Sequence, residues 1–174
     1  DLKLNTPAER LVWDNELEGI GGVKAKNKDG QILYFKAKKG VLLAAGGFAM
    51  NPKMLQRFNP LMLKAQARAG GGCTGDGILM AMAYGADTLD TEYIKATFCY
   101  PANPRHSGSC QAFWSGAIIT NKKGKRIVDE SVSYKLLGDA ALKEENGIAY
   151  IVFDEPIRQK RMKAKLVEKK WMEL

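Results

Sequence analysis

One histidine, three scattered cysteines and no apolar run near the ~20 residues of a membrane span narrow the chemistry open to this chain. Cys73, Cys99 and Cys110 form no Cys-x-x-Cys pair, and His106 alone cannot complete a zinc site. They read as reduced thiols, with no structural metal, and a cytoplasmic setting is the expectation, export being left open. No internal repeat or low-complexity stretch occurs. No signal peptide is visible and Asp1 is no initiator methionine, so the sequence reads as starting inside a longer protein.

What is present is ordinary for a globular chain. Its 174 residues are 45% hydrophobic and 26% charged, enough for one domain or two small ones. The formal charge is +8, but seven Lys and Arg residues follow Pro156, against only Glu168 and Glu173. That tail reads as a solvated helix, Pro156 to Leu174, and no nucleic-acid partner is expected.

The first part predicts extended structure. Glu9 to Trp13 is a short strand. Gly22 to Asn27 alternates, with Val23 and Ala25 on one face, and Asp29-Gly30 supplies the turn to Ile32 to Lys38. Gly40 to Ala45 is the short apolar run of a strand buried on both faces. Asn51-Pro52 opens a helix of about two turns, with Asn51 as cap and Pro52 in the first helical position. Asp76 to Tyr84 has helical spacing. Gly116 to Asn121 and Arg126 to Asp129 read as strands joined through Lys122-Lys123-Gly124-Lys125. Ser133 to Glu145 is a helix stopped by Asn146-Gly147, and Ile148 to Phe153 is another buried strand.

Gly70, Gly72 and Gly75 satisfy a formal Gly-x-Gly-x-x-Gly. That pattern binds a dinucleotide only after a strand and inside a βαβ unit. Leu63 to Ala69 is helical or irregular, so the match is accidental. Thr74-Gly75-Asp76 opens a helix, where small residues and free amides would admit something flat or anionic. An ordinary cap by Thr74 or Asp76 is the competing reading. Tyr134 is either half-buried packing or a catalytic phenol, and Phe113 and Trp114 either a core layer or a substrate wall.

Three segments in series carry a family resemblance. Gly40 to Asn51, Thr74 to Ala86 and Gly116 to Glu130 resemble the strand and diglycine turn, the helix start beside the flavin, and the capping-domain hairpin of the fumarate reductase flavoprotein superfamily. The fold class this implies is α/β. Residues 1–48 would be the β-meander and buried strand of an FAD-binding domain, and residues 49–174 largely a mixed α+β capping domain. The resemblance implies FAD as cofactor, with Ala45, Gly46, Gly47, Thr74, Gly75 and Asp76 along it and Ala8 near its adenine. It also implies hydride transfer between flavin and an activated C–C bond, with a cap side chain moving the proton. The family's N-terminal βαβ unit and its C-terminal segment are not among these residues. The implied partners are therefore those remaining parts of the same flavoprotein, a small-molecule substrate and an electron donor or acceptor.

The departures from the fumarate pattern select among substrates. Fumarate reductases carry a proton-donating arginine where Tyr134 stands, and their dicarboxylate grips are replaced around Ala96-Thr97-Phe98, Ser109-Cys110-Gln111 and Phe113. A dicarboxylate needs charged partners. Ketosteroid dehydrogenases instead resemble Glu130-Ser131 followed by Tyr134. An enone- or steroid-like substrate against Phe98, Tyr100, Phe113 and Trp114 is the expectation. A fumarate- or urocanate-type reductase and a non-catalytic basic interaction module are the alternatives. A phenol titrates near about 10, so tyrosine donates a proton readily at neutral pH. As a base it would need help from Lys135 or Ser133.

Overall fold

A computed structural model describes residues 1–99 and 111–163. Tyr100, His106, Cys110 and the end of the expected tail helix lie outside the described residues. The chain divides into two compact units, Asp1–Asn51 with Ala69–Leu89, and Pro52–Arg68 with Asp90–Leu174. A contiguous break after residue 48 was expected. Instead, residues 69–89 return to the first unit.

The first unit is built on a meander. Strands β1 (Ala8–Asp14), β2 (Gly19–Lys26) and β3 (Ile32–Lys36) pair antiparallel in that order. Leu11 pairs with Val23, and Val23 with Phe35. The alternation buries Leu11 and Ala25 and leaves Tyr34 exposed. The Asp29-Gly30 turn is organised by Asn27. Its Oδ1 accepts from the amides of Asp29 (3.0 Å) and Gln31 (2.9 Å), while Gly30 takes the positive φ of 82°. Helix α2 (Asp76–Met82) packs against β1. Just beyond it, Tyr84 donates to the Leu11 carbonyl at 2.9 Å and stacks on Trp13 with centroids 6.1 Å apart.

The expected buried strand at 40–45 is not formed. Residues 40–46 make no backbone hydrogen bond among the described residues, and Leu42 is 89% exposed. An apolar run becomes a strand only by pairing, and none of the described strands lies beside it.

The second unit holds helices α1 (Pro52–Phe58), α3 (Tyr134–Lys143) and α4 (Glu155–Lys163) with strands β4 (Ile118–Thr120) and β5 (Tyr150–Val152). Pro52 opens α1 as expected. Ser133 stands in extended conformation at the N-cap of α3, and Asn146 and Gly147 follow its end with positive φ. The core is Phe113, Ile119 and Leu137, with Ile127, Val128, Val132 and Ile151 against it. Burying a Leu side chain contributes about 2 kcal/mol, so Leu137, wholly buried, anchors α3.

Two strand expectations need correction. Arg126 to Asp129 is not a strand: it meets β4 only at a Thr120–Arg126 bridge, and β4 pairs with β5. The 148–153 strand is three residues long and half exposed, with only Ile151 turned to the core.

Helix α4 carries a local test of charge. The Arg158 guanidinium and the Gln159 amide hold the exposed Glu155 carboxyl at about 2, below its ordinary 4.5. A depressed carboxyl stabilises above the unfolded value and loses that effect as pH falls through the folded one. A carboxylate carbon titration by NMR should therefore place the Glu155 midpoint near 2, and Arg158→Ala should return it toward 4.5.

Candidate functional site

The diglycine turn is held in place by the loop before α2. The Gly75 amide donates to the Gly47 carbonyl at 3.0 Å, the Met50 amide to the Cys73 carbonyl at 2.9 Å, and the Asn51 side-chain amide to the Thr74 carbonyl at 2.7 Å. Gly46 lies in the left-handed region with φ of 79°. Gly47 faces open space: a Cβ there meets nothing within 4 Å. Gly77, in the first turn of α2, lies against the same ledge, where a Cβ would sit 3.1 Å from the Ala45 Cβ. Ala45, Gly46 and Gly47 thus form an exposed, side-chain-poor edge backed by α2, a shape that admits a flat ligand to the backbone.

The helix start differs from expectation. Gly75, not Thr74 or Asp76, is the N-cap, without a side-chain cap bond. The Thr74 amide donates to the Gly72 carbonyl, and the Gly75 amide is used by Gly47, so neither is free for an anion. Asp76 remains exposed. It lines a shallow hollow of about 580 Å³ together with Ala8, Glu9, Arg10, Leu79 and Tyr84. The structure thus brings Ala8 and Asp76 together, a proximity that their separation in sequence did not reveal.

The aromatic residues gather in the second unit. Phe98 meets Phe113 edge-on with centroids 5.6 Å apart, and Phe113 meets Trp114 at 5.0 Å. Phe113, expected as a core layer or a substrate wall, is buried in the core, where it backs Phe98 and the half-exposed Trp114. Tyr134 is partly buried at the first position of α3, one turn before Leu137. Residues three apart share a helix face, and Leu137 belongs to the same buried cluster as Phe113. Lys135 is not the cation an activated phenol would need. Its ammonium pairs with Asp139 and lies over the Tyr93 ring at 5.2 Å.

A buried carboxylate was missed. Glu130 accepts from the Ile119 amide at 2.6 Å and is gripped by the Arg126 guanidinium through Nε and a terminal nitrogen. Burial works to raise its carboxyl, but the Arg126 bonds and the Ile119 amide prevail and hold it below 4.5. The clamp ties β4 to the loop that leads into Tyr134. The signal for it is a charge pair four residues apart across a turn.

The FAD binding domain family matches residues 1–169. A probable fumarate reductase of Shewanella frigidimarina is 31% identical over 160 residues, covering 92% of this chain and 27% of the relative. A urocanate reductase of Eggerthella lenta is 35% identical over 158 residues, covering 87% of this chain and 25% of the relative. The structure of the 3-ketosteroid-Δ4-(5α)-dehydrogenase of Rhodococcus jostii, in complex with 4-androstene-3,17-dione, superimposes with a TM-score of 0.71 and 26% identity over 94% of this chain and 32% of that one. The chain spans about a quarter to a third of the length of these proteins. With glycines placed for a flat ligand and a family match over nearly all its length, this chain belongs to the FAD binding domain family of flavoproteins.

Proposed function

We propose that the whole protein is an FAD-dependent oxidoreductase that moves a hydride between flavin and an activated C–C double bond of an enone- or steroid-like substrate. The observation that carries this reading is the cluster of Phe98, Phe113 and Trp114 beside the start of α3, packed among apolar residues where a dicarboxylate would need cations. The first unit, the FAD-binding part, contributes Ala8, Ala45, Gly46, Gly47, Thr74, Gly75 and Asp76. Backbone and small side chains serve there, and Thr74 and Gly75 act by shape, since their amides are spent on the protein. The second unit is the capping part. Phe98 and Trp114 face the substrate with Phe113 behind them, Tyr100 belongs to the substrate set by resemblance alone, and Tyr134 supplies the proton.

When bound, FAD would supply the hydride chemistry; this chain's residues would orient the substrate, exclude water and hold the proton at the Tyr134 Oη. The remaining parts of the same flavoprotein and an electron partner complete the system. A urocanate-type reaction is the second reading, favoured by the 35% identity to a urocanate reductase.

The test is a flavin spectrum and an anaerobic turnover assay on the full-length protein with a steroidal enone, urocanate and fumarate. Enone turnover above the other two is expected. Urocanate turnover alone would shift the assignment to the second reading. Flavin-free protein without turnover would leave a basic interaction module. Gly47→Val tests the ledge separately. A Cβ there meets no protein atom within 4 Å, so the variant should fold with an unchanged melting temperature in the flavin-free state yet lose most of its visible absorbance. Full flavin content would remove Gly47 from the cofactor edge.

A further inference from the structure

Segment 93–98 follows α3 in a fixed register. At one end the Lys135 ammonium lies over the Tyr93 ring at 5.2 Å. About one turn further along α3, Gly138 faces Ala96. A Cβ at Gly138 would sit 2.6 Å from the Ala96 carbonyl oxygen, 2.8 Å from its Cβ and 2.9 Å from its carbonyl carbon. Two of those atoms are backbone, so the clash could be relieved only by moving the segment. At the far end Phe98 packs edge-on against Phe113, which lies in one buried cluster with Leu137. A glycine inside a helix costs about 0.5–1 kcal/mol relative to alanine. At Gly138 that cost is offset by an approach no other residue permits.

We infer that Gly138 is a specificity-determining positioning residue for the reaction proposed above, on which this inference rests. The missing side chain lets the 96–98 backbone settle onto α3 one turn after Tyr134. It thereby sets the spacing between Phe98 and the turn that carries the proton donor. A wide, flat apolar substrate spans both and is sensitive to that spacing. A small enone reaches the phenol without filling the wall. Side chains at 138 therefore tune substrate size without touching the substrate.

The experiment compares a steroidal enone with 2-cyclohexenone in the full-length, flavin-loaded protein. Gly138→Ala should keep its flavin absorbance and lower kcat/KM for the steroid relative to cyclohexenone by roughly tenfold to a hundredfold, the scale of a misplacement near 1 Å. The loss should fall mainly on the steroid KM. Hydrogen exchange across 93–98 should quicken. Tyr93→Ala, which removes an exposed ring, should move the ratio the same way by a few-fold and decides the question if Gly138→Ala does not fold. Leu136→Ala, on the exposed face of α3, should leave the ratio unchanged. An unchanged ratio in both Gly138→Ala and Tyr93→Ala, or equal losses on both substrates, overturns the inference. Wild-type protein inactive on every enone overturns the function reading, and this inference with it.

Discussion

Tyr134→Phe in the full-length flavoprotein should lower enone turnover by about 10²–10⁴, the usual worth of general acid–base catalysis, and leave flavin content unchanged. The expectation rests on placement. Tyr134 opens α3, held by an extended Ser133 on one side and by Leu137 in the core on the other. Its hydroxyl has no hydrogen-bond partner among the described residues. The Lys135 ammonium is turned to Asp139 and Tyr93. On the proposed reading Tyr134 donates the proton, and reduction of the double bond is the direction expected. Flavin reduction followed alone should be normal in the variant, with the defect confined to substrate reduction. Near-normal turnover, with substrate reduction shown to limit the rate, would assign Tyr134 to packing.

Loss of the Glu130 clamp should be costly to stability. Glu130→Ala removes charge-assisted bonds from Arg126 and strands the Ile119 amide, and should cost about 3 kcal/mol. Arg126 is more than half exposed and recovers water; the Ile119 side chain is wholly buried. Glu130→Gln keeps an acceptor for that amide and should cost about half as much. The sign with pH follows from the depressed carboxyl. Its stabilising effect is complete above the unfolded value of 4.5 and is lost as pH falls through the lower folded value. Melting temperatures followed from neutral pH into acid should fall more gently for Glu130→Gln than for the parent. Parallel acid limbs would show that Glu130 does not carry this dependence. Because the clamp holds the loop before Tyr134, Glu130→Ala should also lower enone turnover while flavin content stays near normal.

Both tight turns are legible from local chemistry. Asp29-Gly30 marks the first turn, yet the bonds are made by Asn27. Asn121 repeats the device, accepting from Lys123 at 3.0 Å and Lys125 at 3.1 Å, with Gly124 at φ of 76°. An asparagine three residues before a glycine is the common signal.

Sequence by itself determined the elements whose causes lie within a few residues. The meander follows from alternation and an Asx turn. The start of α1 follows from Pro52, and the limits of α3 from Ser133 and Asn146-Gly147. The departures from the fumarate pattern at Tyr134 and Phe113 are likewise visible in the chain alone. Tertiary structure decided whatever depends on a distant partner. The apolar run at 40–45 needs neighbouring strands before it can be one. Phe113 and Trp114 are adjacent and similar, but only packing against Ile119 and Leu137 buries the first and leaves the second half exposed. Residues 69–89 join the first unit through the Gly75–Gly47 and Tyr84–Leu11 bonds, which span 28 and 73 positions. Gly138 looks like a flaw in a helix until Ala96 lies across it. Local propensity acts over a turn or two, whereas burial and close approach are properties of pairs that only the folded chain brings together.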